Sequence, residues 1–269
     1  MKPKLSILTI NFNDSKGLER TLSSIDNFLK CFNLELVVID GGSTDESASI
    51  IDNYQDLITY TVSEKDDGIY DAMNKGLEYC TGDYVLFLNS GDYFNGIGDV
   101  NVLFDTIDKV SPKVIFWPAK INSETSFWFY PPEGATDEYI RKWFDSNLPN
   151  HQAMLFPKQF YSLNKYDRKM VINSDADYKL RAIKQYGTYF IPFSLTTFEL
   201  GGVSSQTLSW KSYKIRIKDV LIFEEKHNRG LNKYYSISSS VLKYTIKLIA
   251  SNILPSDLYI KLLKSSKDK

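Results

Sequence analysis

The chain has 269 residues, 43% apolar and 24% charged, a globular composition long enough to bury a sizeable core, so disorder of the whole is excluded. Aromatic residues reach 14%, with 18 Tyr and 16 Phe, and Tyr offers sugars or nucleobases a flat apolar face with a polar tip. The net charge of -1 hides an asymmetry: Ser205 to Lys269 carries 13 Lys/Arg against 5 Asp/Glu, which leaves a body at -9 and a tail at +8 and points to an anionic partner for the tail.

Cys31 and Cys80 are too few for a disulfide framework and lack the spacing of a zinc site, which suits a reducing cytoplasm. After the basic start Met1-Lys2-Pro3-Lys4, the apolar run is soon interrupted by Asn11, Asn13 and Asp14, so a first strand is expected and not a signal peptide. No stretch reaches the ~18 to 20 uncharged apolar residues of a membrane span.

In chain order, Leu5 to Ile10 reads as a strand, Ser15 to Phe28 as a helix with Leu18, Leu22 and Ile25 at helical spacing, and Leu34 to Ile39 as a second strand. Ser43 to Tyr54 reads as a helix whose start is marked by a Ser43/Glu46 capping box. A strand is expected over Ile58 to Val62, a helix over Tyr70 to Tyr79 and a buried-type strand over Tyr84 to Leu88. This alternation predicts a mostly parallel sheet with helices on both faces. The second half is less regular, with strands expected at Val114 to Trp117, Phe127 to Tyr130 and Ala153 to Phe156, and a helix over Asp175 to Tyr186. Beyond Gly201-Gly202 the sequence turns helical, Lys-rich and Ser-rich, which places a domain boundary near Ser204: a body of 1–204 and a basic helical extension of 205–269. In that extension Ser236, Ser240, Lys243, Lys247 and Ser251 line one face of a helix, while Val241, Leu242, Leu248 and Ile249 line another. That face predicts docking on the body or contact with an anionic membrane, and the two are compatible.

In open α/β sheets ligands bind beyond the carboxyl ends of the strands. Three such turns carry suggestive residues: Thr9-Ile10-Asn11-Phe12-Asn13, Asp40-Gly41-Gly42-Ser43-Thr44-Asp45 and Asn89-Ser90-Gly91-Asp92. Asp40 is suited to accept from a base N–H, or else to satisfy the amides of its own turn. Asn89 and Asp92 offer two oxygen donors suited to Mg²⁺ or Mn²⁺ beside a diphosphate, or an Asx turn closing the strand. Gly41-Gly42 is not the glycine fingerprint of a dinucleotide dehydrogenase.

Together with Glu64-Lys65-Asp66-Asp67-Gly68-Ile69-Tyr70-Asp71-Ala72-Met73-Asn74-Lys75-Gly76 and Thr81 to Asp92, these segments resemble the family 2 glycosyltransferases over roughly residues 4 to 204. The branch they look closest to builds bacterial exopolysaccharide, capsule and lipopolysaccharide. The resemblance implies a GT-A (nucleotide-diphospho-sugar transferase) fold: α/β, a central mostly parallel mixed sheet flanked by helices, here followed by a helical tail. It implies an inverting transferase that moves a sugar from a nucleotide sugar, a UDP-sugar by expectation, to a hydroxyl of a glycan or lipid-linked glycan, working in the cytoplasm at the inner face of the membrane. Thr9, Asn11, Asp40 and Asp66 are then expected at the nucleoside, with Asp71, Asn74 and Asn89 near the donor. The family's D-x-D metal motif reads Asn89-Ser90-Gly91-Asp92 here, so the metal role carries over to Asp92 only.

Asn173-Ser174-Asp175-Ala176-Asp177 resembles the family segment whose first Asp is the catalytic base, which assigns that role to Asp175. A carboxylate is suited to take the proton of the attacking hydroxyl. Asp175 as a helix cap and Asp177 as the base are the competing readings. The resemblance puts His151 near the acceptor or diphosphate, although a lone His is as often structural, and Glu199 to Ser204 is either a loop over the donor or the turn that ends the domain. A sugar nucleotidyltransferase would carry a Gly-rich, Arg-containing loop after the first strand, which Thr9 to Asn13 lacks. A non-catalytic nucleotide- or glycan-binding module is favoured only by Asn89 and Gly91.

Overall fold

The computed structural model describes residues 4–29, 33–95, 100–123, 126–200, 209–228, 231–254 and 258. The chain forms two compact units, one of residues 1–166 and 178–200, the other of 167–177 and 201–269. The boundary expected near Ser204 lies outside the described residues, as does Cys31.

The first unit opens with β1 (Leu5–Asn11), α1 (Ser15–Leu29), β2 (Leu34–Asp40), α2 (Ser47–Asn53), β3 (Tyr60–Ser63), α3 (Ile69–Leu77) and β4 (Tyr84–Phe87). It continues through β5 (Tyr93–Phe94), α4 (Val100–Val110), β6 (Val114–Phe116), β7 (Ala119–Ser123), β8 (Ser126–Tyr130) and α5 (Asp137–Trp143). A 3-10 turn at His151–Ala153 leads into β9 (Met154–Pro157) and α6 (Lys158–Tyr161). Then α7 (Ser174–Tyr186) starts in the second unit and ends in the first, followed by β10 (Thr188–Phe190) and β11 (Thr196–Glu199). The second unit ends with α8 (Trp210–His227) and α9 (Leu231–Ile253).

Seven strands form the main sheet in the order β10-β6-β9-β4-β1-β2-β3. All neighbours pair parallel except β9, which runs antiparallel to β4 and β6. The unbroken apolar runs of β1, β2 and β4 follow from burial on both sides. Leu5, Ile7, Leu36, Val38 and Leu86 pack with Leu18, Leu22 and Ile25 of α1, while Leu8, Ile10, Val37, Ile39 and Phe87 pack with Tyr70, Met73 and Leu77 of α3. Gly76 permits the close approach of α3, because a Cβ there would lie 2.2 Å from Leu8 Cδ1. A smaller sheet, β5-β11-β7-β8, adds Ile121 and Trp128 to the α1 side of the core.

The expected helix start at Ser43 is corrected. α2 begins at Ser47, its N-cap Glu46 makes no side-chain cap, and Ser43 Oγ is taken by Asp40 Oδ1 at 2.5 Å and by Asn13 N at 2.7 Å. Asp45 instead accepts from Ser47 N at 3.1 Å and Ser15 N at 2.8 Å, so the first turn is held by a different carboxylate. The other expected elements of the first half are present with ends shifted by one or two residues.

Candidate active site

The register of β1 against β2 sets Asn11 beside Asp40, and β4, which pairs with β1 on its other edge, runs into the Asn89 loop. Asn11 is buried and joins all three turns. Its Nδ2 donates to Asp40 Oδ1 at 2.8 Å, Ser47 Oγ at 2.9 Å and Ser43 Oγ at 3.2 Å, while its Oδ1 accepts from Ser90 Oγ at 2.8 Å. The convergence expected from the order of the strands is thus made by one side-chain amide.

Asp40 is 2% exposed and surrounded by donors: Asn11 Nδ2, Ser43 N at 2.9 Å, Ser43 Oγ, and Ser63 Oγ at 2.6 Å from the end of β3. Burial by itself raises a carboxyl pKa, but these hydrogen bonds outweigh it and hold Asp40 below its ordinary value. Four internal bonds fill the acceptor capacity of a carboxylate, which is the geometry of a turn organiser. Beside it, Asp66 is paired with Lys75 Nζ at 2.7 Å, and its Oδ2 lies 3.0 Å from where a Cβ on Gly41 would be. Lys75 also meets Glu64 at 2.7 Å and Asp71 at 3.6 Å, and its hydrogen bonds to Asp66 and Glu64 raise its pKa.

Thr9 is fully buried, and its hydroxyl has no hydrogen-bond partner among the described residues. Asn74 uses both ends of its amide on the backbone of Tyr166, at 2.8 and 3.0 Å. His151 is buried with Nε2 2.6 Å from the Tyr166 hydroxyl and its ring against Phe87. Asn74 and His151 therefore meet at Tyr166. A feature passed over in the sequence is Phe12, 65% exposed beside the Asp40 turn, where it offers a flat apolar face to a base. Its signal was an aromatic residue inside a polar turn.

The Asn89–Asp92 loop differs. It is anchored by Thr21 of α1, whose Oγ1 bonds the Asp92 carbonyl at 2.7 Å and accepts from Gly91 N at 3.0 Å. Gly91 has φ +93, a conformation that an Asp side chain rarely adopts, which accounts for glycine there. Asp92 is 3% exposed, and its carboxylate accepts from Glu199 N at 3.3 Å. Burial raises its pKa well above the ordinary value, and the nearby charges of Glu199 and Asp14 act in the same direction. Asn89 Oδ1 is buried without a hydrogen-bond partner. Among the described residues no three His, Cys, Asp or Glu side chains form a metal-binding group. The loop nonetheless fits a hard divalent cation completed by phosphate oxygens and water, because among the described residues its Asn89 amide oxygen has no hydrogen-bond partner and its Asp92 carboxylate no cationic one.

In the second unit Asp175 and Asp177 both lie in the first turn of α7, so Asp175 is past the cap position. Asp177 is 1% exposed and bonded to His227 Nε2 at 2.8 Å, with Lys226 at 3.7 Å, whereas Asp175 is half-buried.

A mostly parallel sheet flanked by helices, with its polar turns gathered at the strand carboxyl ends, defines a GT-A transferase architecture. The structure of Staphylococcus aureus TarS 1–349 in complex with UDP-GlcNAc shares it, with a TM-score of 0.63 at 16% identity over 91% of this chain and 72% of that one. The glycosyl transferase family 2 profile matches residues 6–175, and the chain belongs to that family. It is 30% identical over 205 residues to an uncharacterized glycosyltransferase of Mycobacterium tuberculosis, covering 76% of this chain and 78% of the other. It is also 27% identical over 212 residues to a PGL/p-HBAD biosynthesis glycosyltransferase of Mycobacterium bovis, covering 76% and 80%. The protein is therefore a glycosyltransferase.

Proposed function

We propose that the protein transfers a hexose, with inversion, from a UDP-sugar to a hydroxyl of a glycan or lipid-linked glycan at the cytoplasmic face of the membrane. Residues 1–204 form the transferase domain and 205–269 a basic helical extension. The observation that carries this reading is the Asn11 hydrogen-bond set, which fixes three turns in place before a donor arrives and so lowers the reorganisation that binding demands. UDP as the nucleotide is supported by the UDP-GlcNAc held by TarS, and a glycolipid acceptor by the name of the Mycobacterium bovis relative.

The nucleoside lies along Asn11, Asp40 and Asp66, with Phe12 as its flat support, while Asp71 and Asn74 shape the wall of α3. Thr9 acts from beneath, through the strand. Asp92, with the Asn89 amide oxygen beside it, would hold a divalent cation, Mg²⁺ or Mn²⁺, which when bound would supply Lewis-acid stabilisation of the leaving diphosphate. The acceptor oxygen bonds to the anomeric carbon as the bond from that carbon to the diphosphate oxygen breaks. The hydroxyl proton passes to Asp175, and UDP leaves. Direct displacement by one nucleophile inverts the anomeric centre. Asp177, 1% exposed, is less accessible to an acceptor hydroxyl than half-buried Asp175. His151 orders the wall near the diphosphate through Tyr166.

The test is a screen of nucleotide sugars for nucleotide release, with and without divalent cation and lipid-linked acceptors, on the protein and its Asp175→Asn variant. The variant should bind UDP as the parent does and turn over about 10²-fold more slowly or worse. A larger loss in Asp177→Asn than in Asp175→Asn would move the base to Asp177.

A further inference from the structure

The helix α9 carries two apolar faces, and among the described residues only one is covered. On the first, Leu248 is buried, Tyr244 lies 5.7 Å from the Arg216 guanidinium, Thr245 Oγ1 meets the Tyr213 hydroxyl at 3.1 Å, and Ser236 donates to Glu224 at 2.6 Å, so this side packs on α8. On the other, Tyr235, Leu242, Ile246, Ile249 and Ile253 are each half or more exposed. Their intervals of seven, four, three and four residues align them in one narrow stripe about 27 Å long. The two apolar pairs read from the sequence therefore separate: Val241 and Leu248 are more buried than Leu242 and Ile249, which face outward.

Charge identifies the occupant. α9 contains Lys233, Lys243 and Lys247 and no Asp or Glu. The carboxylates of α8 are engaged within the unit: Asp219 accepts from the amides of Val171, Ile172 and Asn173, Glu224 accepts from Ser236 and Asn228, and Glu225 pairs with Lys233. Lys211, Lys214 and Lys218 stand exposed at helical spacing on α8. A second copy meeting stripe to stripe would bring two lysine-flanked helices together without a carboxylate on either, whereas an anionic lipid surface supplies both apolar depth and negative charge. No described helix is long and apolar enough to cross a membrane, so the contact lies in the plane of the surface.

We propose that the Tyr235-Leu242-Ile246-Ile249-Ile253 stripe of α9 is the face that seats this protein on anionic lipid. The inference gives a surface to the membrane location proposed above and rests on it. The experiment is co-sedimentation of the full chain with vesicles of phosphatidylcholine alone or mixed with phosphatidylglycerol, at low and high salt, beside the triple variant Leu242→Ser, Ile246→Ser, Ile249→Ser. The parent should partition onto the mixed vesicles at low salt and release at high salt. The variant should partition roughly tenfold less or worse, at an unchanged melting temperature because its substituted side chains are exposed. Lys243→Glu should weaken binding to mixed vesicles without altering the response to neutral ones. The proposal is overturned if the parent ignores mixed vesicles at low salt or if the triple variant binds as well as the parent. It is equally overturned if the triple substitution dissolves a dimer in sedimentation velocity while leaving vesicle binding intact. Nucleotide release is measured in solution on the same samples, so a failed transfer reaction and a failed docking face give separate results.

Discussion

Asp40 ends, and Asp92 follows, strands that flank β1 on opposite sides, and their exposures of 2% and 3% are nearly equal. Asp40 is ringed by Asn11, Ser43 and Ser63, whereas Asp92 has the Glu199 amide at 3.3 Å and neighbouring carboxylates. The first pKa falls and the second rises. Burial therefore does not determine what a carboxylate does. A saturated one organises backbone, while an unsaturated one is suited to an outside cation.

The largest expected effect is that of Asp40→Ala. It leaves donors on buried Asn11, half-buried Ser43 and exposed Ser63 without their acceptor, which should cost about 1 to 3 kcal/mol and lower the melting temperature by roughly 3 to 9 °C. UDP affinity measured by calorimetry should fall with it. A variant that melts like the parent and binds UDP more weakly would assign Asp40 to the base and not to the turn.

Thr21→Val comes next, at about 1 to 2 kcal/mol, since it removes the hydroxyl that anchors the Asn89–Asp92 loop while keeping the shape of the side chain. Cation-stimulated turnover should weaken along with stability. Loss of stability alone would separate the loop from the cation.

Asp92→Asn gives the smallest change in stability and the opposite sign. In EDTA it should raise the melting temperature, by about 1 kcal/mol in stability, because a neutral amide is easier to bury than an unpaired carboxylate. The same variant should lose cation-stimulated turnover. The pH dependences also oppose one another. Asp40, with its folded pKa depressed, contributes stability that is present above its unfolded value near 3.8 and is lost as pH falls through the folded value. Asp92, with its folded pKa raised, imposes a penalty that fades as pH falls from the folded value toward 3.8. Melting curves of the two variants across acidic pH in EDTA should therefore deviate from the parent in opposite directions.

The central strands were legible because a strand buried on both faces must be an unbroken apolar run, and Leu5 to Ile10 and Leu34 to Ile39 are such runs. The second sheet was mostly missed: β7 alternates buried and half-buried residues through Lys120 and Asn122, and β5 has only two residues. α4 went unread although Leu103, Phe104 and Ile107 have helical spacing. For the site, the position of each turn at a strand end could be read from chain order. The donors around each carboxylate could not, because Ser63 reaches Asp40 from 23 residues away and Glu199 reaches Asp92 from 107. The capping-box pattern at Ser43 failed because its hydroxyl is taken by Asp40 of its own turn and by the Asn13 amide 30 residues earlier.

The Asn11 amide has a consequence for how such a site changes over time. Its partners at positions 40, 43, 47 and 90 come from two other turns and the start of α2, so no member of the group can be exchanged without stranding a donor or acceptor on another. Drift at these positions should be concerted, with paired substitutions tolerated where single ones are not. The three loops are inherited as one unit, and novelty in what the enzyme recognises has to arise elsewhere in the chain.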